Sequence, residues 1–368
     1  MKVGGRHYRS LWADQSAGVV HIIDQARLPH VFETATIRTA DEMAQAIKAM
    51  RVRGAPLIGV AAAHGIALAV ARDPSDASIS DASNKLRVTR PTAVNLAWAI
   101  GRMREKLAPV KPAQRAGVAW KEAQAIADED VKLNEAIGRS GLQLLQREHE
   151  ARKRTLNILT HCNAGWVATV DWGTVTAPLF MAHEAGIPIH VWVDETRPRN
   201  QGLLTAWELA GAGVPHTLVT DNAGGHLMQR GMVDLVLVGA DRVTRRGDVC
   251  NKIGTYLKAV AARENEVPFY ACVPLPTIDW GIEDALREIP IEERGEDEVR
   301  IVRGLDDEGR VAQVNIAPRT TKVANPAFDV TPARYVTGLI TEKGVIRATE
   351  KDLLEHWPRA RESKAYLT

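Results

Sequence analysis

From residue 155 onward the chain alternates short apolar runs with helical stretches, and this rhythm restricts the fold more than any other feature. The runs are 155–160 (TLNILT), 187–193 (IPIHVWV), 215–219, 233–238 (VDLVLV) and 267–273 (VPFYACV), and segments 202–210, 223–230 and 252–264 between them have helical spacing. Strands alternating with helices build a parallel sheet covered on both faces. In such sheets ligands sit outside the carboxyl ends of the strands. The residues immediately after each run are therefore the first place to look for chemistry.

Those residues are polar. His161-Cys162-Asn163-Ala164-Gly165 follow the first run, Asp194-Glu195-Thr196-Arg197-Pro198 the second, and Thr220-Asp221-Asn222-Ala223-Gly224-Gly225 the third. Gly239-Ala240-Asp241-Arg242 follow the fourth and Pro274-Leu275-Pro276-Thr277 the last. One rim thus gathers a thiol, carboxylates, arginines and glycine turns. Cys162 reads either as a nucleophile or proton-transfer group, its pKa lowered by N–H groups at a following helix start, or as a small buried hydrophobe. Asp241 reads either as a general acid held protonated by burial or as a helix cap after a strand. Cys250 and Cys272 read as packing residues. His161 reads as a hydrogen-bonded spacer, since no ligand partner lies at metal-site spacing. Trp166 and Trp172 flank the candidate site.

The first 150 residues read as helical. Segment 41–50 carries Thr39 or Asp41 as a cap, and 57–71 is apolar enough to be a buried helix. Segments 91–107 and 114–145 repeat the helical spacing. The Ser/Asp-rich 73–85 reads as a surface loop, and Arg152-Lys153-Arg154 as a solvated helix end. At 368 residues about two domains are expected: a mostly helical one over 1–150 and a Rossmann-like one over 151–368. The turn Arg51-Val52-Arg53-Gly54-Ala55-Pro56 sets a guanidinium beside a glycine that opens a helix, a cradle for phosphate or carboxylate. Arg90-Pro91-Thr92 is a second such helix start, and Asn251-Lys252 a third. Together they point to a small anionic substrate.

Several classes are disfavoured. Gly211-Ala212-Gly213 begins a dinucleotide fingerprint, but Pro215 interrupts it and a strand follows where a helix is needed. No GxxxxGK[ST] loop exists. With 47 Lys+Arg against 45 Asp+Glu the charge is nearly balanced, which gives no reason to expect nucleic acid. Three scattered cysteines exclude a disulfide framework or CxxC pair and fit a reducing cytosol. The fifteen apolar residues of 57–71 fall short of the roughly 20 that cross a bilayer, and the N-terminus lacks an apolar signal core. A soluble cytoplasmic protein without membrane contact is expected.

Taken jointly, RGAPLIG (53–59), RPTAVNLAWA (90–99), THCNAG (160–165), DETRPRNQG (194–202), LTAWEL (204–209), VGADRV (238–243), NKIGTY (251–256) and NPAFDVTP (325–332) resemble the 5-methylthioribose-1-phosphate isomerase family. That family is related to the α, β and δ subunits of eukaryotic translation initiation factor 2B. The resemblance covers nearly the whole chain. It implies a helical N-terminal domain, a Rossmann-like C-terminal domain and a homodimer. It also implies conversion of a cyclic aldose 1-phosphate to the open ketose 1-phosphate without a metal or organic cofactor. The family's catalytic cysteine and aspartate fall on Cys162 and Asp241. Its substrate-binding positions fall on Arg53, Gly54, Ala55, Arg90, Gln201, Asn251 and Lys252. A C1 phosphate locks the ring, so an acid must protonate the ring oxygen as C1–O breaks. A hydrogen then moves from C2 to C1. Either a thiolate carries it as a proton, or it passes as hydride with Cys162 stabilising charge.

The chain departs from the family's usual pattern in three places. Trp166 follows CNAG where small residues are usual, Leu203-Leu204-Thr205 is one residue short and lacks an arginine, and Asp221-Asn222-Ala223-Gly224-Gly225 replaces a DSMAA-like run. One reading is drift, with Trp166 filling space vacated by Gly224 and Gly225. The other is a pocket reshaped around the sugar's C5 substituent, which would favour 5-deoxyribose 1-phosphate or another pentose 1-phosphate. Ribose 1,5-bisphosphate needs more cations at the C5 end, and the missing arginine counts against it. A non-catalytic, initiation-factor-like subunit is the alternative of a different class, against which the retained Cys162 and Asp241 speak. The charged stretch 283–300 reads as a solvated surface.

Overall fold

The computed structural model describes residues 1–90 and 93–358. The chain opens with strands. β1 (Lys2–Val3) and β2 (Arg6–His7) form a hairpin, and β3 (Leu11–Asp14), β4 (Val19–Ile23) and β5 (Thr34–Ile37) form a three-stranded antiparallel sheet. The helical expectation for the first 150 residues therefore holds only from residue 40. These strands are at most five residues long, too short for their alternation to stand out. They still bury Val20 and Ile22 against the helices that follow.

α1 (Ala40–Lys48) is capped by Thr39, whose Oγ1 accepts the Glu42 N–H at 2.9 Å. α2 (Ala55–Arg72) is the apolar helix, 18 residues long. By length and composition it passes for a membrane span, but Leu57, Ile66 and Leu68 are buried in the centre of the first core. The expected loop at 73–85 is instead largely α3 (Asp76–Arg87). Ser75 caps it and most of its serines and aspartates face solvent, while Ile79, Ala82 and Leu86 form the buried stripe together with Ser83, whose hydroxyl bonds the Ile79 carbonyl. α4 (Val94–Leu107) packs beside α2; Pro91 and Thr92, expected at its start, lie outside the described residues. α5 (Pro112–Arg152) serves two cores. Ala119, Ala123 and Ile126 belong to the first, and Ile137, Leu144 and Leu145 to the second. It stops at Lys153, left-handed at φ 52°, within the basic run expected to end it.

β6 (Leu156–His161), α6 (Thr176–Glu184), β7 (Ile189–Asp194), α7 (Gly202–Gly211), β8 (His216–Val219), α8 (Ala223–Gln229) and β9 (Leu235–Val238) then alternate as expected. β10 (Arg242–Thr244) and β11 (Val249–Lys252) leave the sheet as an antiparallel pair, and α9 (Thr255–Glu264) and β12 (Phe269–Cys272) return to it. Two corrections follow. Asp241 precedes a strand, so it caps no helix. Asn251 and Lys252 end β11, and the helix expected from 252 begins only at Thr255, after Gly254 turns the chain at φ 102°. Beyond come β13 (Ile278–Asp279), α10 (Ala285–Glu288), α11 (Asp297–Arg300), the hairpin of β14 (Ile301–Leu305) and β15 (Val311–Asn315), β16 (Phe328–Thr331), β17 (Gly338–Thr341), β18 (Gly344–Ile346) and α12 (Glu350–His356).

The central sheet has seven strands in the order β18-β17-β12-β9-β6-β7-β8, parallel except for β18. Along β9, Leu235 and Leu237 face one core while Val236 and Val238 face the other, as a strand buried on both sides requires. The chain builds outward from β6 through β7 and β8, then restarts on the other side of β6 with β9. That reversal opens a crevice at the carboxyl ends of β6 and β9. Their register sets His161 opposite Val238, so the loops bearing Cys162 and Asp241 leave the sheet side by side. The approach is close: a Cβ on Gly239 would lie 2.6 Å from the Ala164 Cβ.

Candidate active site

The crevice holds a chamber of about 60 Å³. All nine residues singled out from the sequence line it: Arg53, Gly54, Ala55, Arg90, Cys162, Gln201, Asp241, Asn251 and Lys252. They arrive from three directions. α2 begins on it, bringing Gly54 as cap and Ala55 in the first turn. β6 and α7 contribute Cys162 and Gln201. β10 and β11 deliver Asp241 and the pair Asn251 and Lys252, with the Asp241 N–H bonded to the Cys250 carbonyl at 3.0 Å. A larger cavity of about 300 Å³ adjoins and shares Met50, Arg53 and Gln201 with it.

The cations are held in place. Arg53 directs both terminal nitrogens at Asn163, Nη1 to the side-chain oxygen and Nη2 to the backbone carbonyl at 2.8 Å. The Lys252 ammonium donates to the Ala327 carbonyl at 2.7 Å and lies 4.6 Å over the Phe328 ring. Arg90 meets Met50 Sδ at 2.9 Å and Glu292 at 3.7 Å. Burial pulls all three below their ordinary pKa, most strongly opposed by Cys162 at Arg53 and Lys252 and by Glu292 at Arg90. Gln201 Oε1 is buried and has no hydrogen-bond partner among the described residues.

Burial also pushes the Asp241 carboxyl up, against the pull of Lys252, Arg90 and Arg53. This is the direction a proton donor needs. Cys162 behaves otherwise than expected: burial raises its thiol pKa, despite the pull of Arg53 and Lys252. A short 3-10 turn, Trp166–Ala168, follows it instead of an α-helix, so the expected helix-start stabilisation is weak. Cys250 and Cys272 are buried packing residues, Cys250 pushed up to about 12 by burial.

Other residues matter that the sequence reading did not single out. Glu208 lies under the Cys162 loop, accepts the Val167 N–H at 2.9 Å, and is pushed up to about 7 by burial. Its Oε2 would lie 1.5 Å from a Cβ on Gly165, so that glycine makes room for it. Thr196 and Thr205 hold the Cys162 backbone at 2.8 Å each. His161 is the hydrogen-bonded spacer expected, its Nδ1 2.9 Å from Asp194 and its Nε2 2.8 Å from the Ile253 carbonyl. His161, Asp194 and Asp221 bring ligand-type atoms within 4.8 Å of one another. Lys258 already lies 3.1 Å from Asp194 Oδ2, making the group an ion-pair network. The stretch 283–300 is not uniformly solvated: Arg294 joins Glu292 at 2.7 Å and Glu298 at 2.6 Å in partly buried pairs.

The three departures from the family's usual pattern separate. Trp166 is buried and packs on Trp207 at 5.9 Å, lining neither cavity. The nearest atoms to a Cβ on Gly224 or Gly225 come from Leu159, Lys258, Asp194 and Ala261, so Trp166 does not fill their space. Of the three, the run at 203–205 faces the larger cavity, which Leu203 and Leu204 line.

Comparison with known proteins agrees with this architecture. The profile of the initiation factor 2 subunit family matches residues 51–348. A methylthioribose-1-phosphate isomerase of Brucella anthropi is 58% identical over 362 residues, covering 97% of this chain and 99% of that protein. The crystal structure of 5-methylthioribose 1-phosphate isomerase from Pyrococcus horikoshii OT3 superposes with a TM-score of 0.82 at 40% identity, covering 96% of each chain. That of the translation initiation factor eIF-2B subunit delta from A. fulgidus gives 0.77 at 39% identity, covering 96% of this chain and all of that one. With a family match over most of its length and relatives this similar end to end, the chain belongs to the initiation factor 2 subunit family and, within it, to the methylthioribose-1-phosphate isomerases.

Proposed function

We propose that this chain isomerises 5-methylthioribose 1-phosphate to 5-methylthioribulose 1-phosphate in methionine salvage. The observation that carries the reading is the meeting of Cys162 and Asp241 with Arg53, Arg90 and Lys252 in one small chamber at the switch point of the sheet. Arg53, Arg90 and the N-terminus of α2 receive the phosphate. Asn251, Lys252 and Gln201 orient the sugar.

Asp241, protonated, donates to the ring oxygen as the C1–O bond breaks and its electron pair moves to that oxygen. The C2 hydrogen then passes to C1, the 2-hydroxyl becomes the ketone, and its proton returns to the carboxylate. A buried thiol held in its protonated form is a poor acceptor for the C2 proton. The raised Cys162 pKa therefore favours hydride passage, with Cys162 beside the developing charge. Substrate deuterated at C2 tests the routes: deuterium lost to water means a proton carried by Cys162 and overturns hydride passage, and complete retention at C1 supports it.

The methylthio sugar is the substrate we favour, because Trp166, Gly224 and Gly225 line neither the chamber nor the larger cavity beside it. Arg199 and Arg303 do face the larger cavity, but Arg199 is paired with Glu298 at 2.9 Å and Arg303 with the Ala26 carbonyl, which argues against a 5-phosphate. The same proposal takes residues 1–150 and 151–368 as two domains joined through α5, with the chain acting as a cytoplasmic homodimer. Purified protein is to be assayed on methylthioribose 1-phosphate and 5-deoxyribose 1-phosphate side by side. Higher kcat/KM on the methylthio sugar supports the proposal, and preference for the deoxy sugar overturns its substrate. Turnover of neither overturns both sugars as substrate, and an inert protein that still binds sugar phosphates or partner subunits revives the non-catalytic subunit.

A further inference from the structure

Cys162 occupies the left-handed region at φ 68°, as does Thr196 at φ 62°. The second is the more telling, because a β-branched residue rarely adopts this conformation unless its surroundings enforce it. Asp221 does so here, its carboxylate accepting the Thr196 and Arg197 N–H groups at 2.8 and 2.7 Å. So held, the Thr196 hydroxyl accepts the Cys162 N–H at 2.8 Å and donates to the Asp194 carbonyl at 3.1 Å. On the other side of the same residue, Thr205 of α7 donates to the Cys162 carbonyl at 2.8 Å and accepts from Asn163 Nδ2 at 3.1 Å. Asn163 in turn holds Arg53. Each hydroxyl has one proton and both are fully committed, so neither can turn away without leaving a buried group unpaired.

Neither helix nor sheet therefore fixes the backbone of Cys162; two threonine hydroxyls from separate elements do. We propose that Thr196 and Thr205 are positioning residues that clamp Cys162 by its N–H and its C=O and thereby aim its thiol into the chamber. Strained residues held by their surroundings cluster where a reacting group must be placed accurately. The clamp rests on Cys162 being the reacting group proposed above.

The test replaces each hydroxyl by a methyl of similar shape, Thr196→Val and Thr205→Val, and compares Thr196→Ser and Thr205→Ser. The valine variants are expected to lose at least about ten-fold in kcat with KM within about three-fold, since small misplacements near the chemistry cost this much or more. The serine variants are expected to recover most of that loss. Alkylation of Cys162 by iodoacetamide, with Cys162→Ser as background, should change in rate in the valine variants and return in the serine ones. Valine variants with wild-type kcat and alkylation rates, or serine variants as damaged as the valine ones, overturn the clamp. If the valine variants do not fold, hydrogen exchange at the Cys162 amide of the unmodified protein decides. Strong protection supports the clamp, and exchange at the rate of a free loop overturns it. Alkylation and exchange need no substrate, so the clamp can fail while the isomerase reading stands, and the reverse.

Discussion

Replacing Gly54 by alanine tests how the chamber is built. Gly54 caps α2 at φ 97° and ψ 130°, a conformation that L side chains rarely adopt. Forcing a residue into such a region costs about 1–3 kcal/mol. Space is short as well: an added Cβ would lie 2.3 Å from the Ala168 carbonyl oxygen and 2.5 Å from its Cα. Those are backbone atoms and cannot swing aside, so overpacking adds about 1–3 kcal/mol. The total is about 2–6 kcal/mol. At about 2.1 cal/mol/K of unfolding entropy per residue over 368 residues, this lowers Tm by about 3–8 °C. Relief of the clash must move either the start of α2, with Arg53 and Ala55, or the turn behind Cys162. Activity should therefore fall further than stability does, with kcat/KM down at least about ten-fold. Gly117→Ala is the control. It lies exposed in α5 with nothing within 4 Å of its added Cβ, and should stabilise by about 0.5–1 kcal/mol. Scanning calorimetry and turnover on both variants decide the matter. A Gly54→Ala protein with wild-type Tm and kcat/KM would refute the close approach of α2 to the Ala168 turn.

Cys162→Ser and Asp241→Asn should each lower kcat by orders of magnitude in ketose formation while circular dichroism stays native. Near-normal kcat in either would remove that residue from the mechanism. Because burial raises the Asp241 pKa, kcat should decline as pH rises through that value, and the alkaline limb of the profile reports it. Glu208, raised from 4.5 to about 7, contributes stability that is fully present below pH 4.5 and lost as pH rises through 7. Glu208→Gln should remove about 3 kcal/mol of that loss, read as a flatter Tm between pH 5 and 8. Asp130, also pushed up to about 7 by burial, keeps its own share of the slope. Lys258→Met should destabilise by up to about 3–5 kcal/mol, because it leaves the buried Asp194 carboxylate with His161 in place of its ammonium partner; an unchanged Tm would show that pair to be dispensable.

The central sheet was readable because β6, β7, β9 and β12 are largely buried on both faces, so each appears as a short, nearly continuous apolar run. The opening sheet was not. β3 and β5 have four residues each and β4 has five, and their pattern emerges only once α2 is packed against them. α3 was hidden for a different reason: most of its Ser/Asp composition belongs to the cap and the wet face, Ser83 is buried by bonding the Ile79 carbonyl, and only three apolar residues mark the buried side. At the site, residue types and family runs led to the right chamber, but local structure was misread twice. Asp241 looked like a helix cap because it follows an apolar run, and Lys252 like a helix-start residue because a stretch of helical spacing follows it. The chain instead turns into β10 and β11, a pair that sets Arg242 opposite Cys250, with the Asp241 N–H bonded to the Cys250 carbonyl. Thr196 and Thr205 gave no individual signal. They touch Cys162 from 34 and 43 positions away, a relation that spacing along one sequence cannot express.

The electrostatics of the chamber follow one rule, and the proposed substrate exploits it. Burial drives each charged group there toward its neutral form: Arg53, Arg90 and Lys252 downward, Asp241 and Cys162 upward. In the free protein these tendencies are checked by mutual attraction, Lys252 and the two arginines drawing Asp241 down. A sugar phosphate alters the balance. Its dianion at Arg53 and Arg90 keeps those guanidiniums charged and offsets the pull they exert on Asp241. A like charge nearby also disfavours the carboxylate. Binding thus drives Asp241 further toward the acid form the ring oxygen requires. In the proposed reaction the group that holds the substrate arms the group that opens it, through charges already in place.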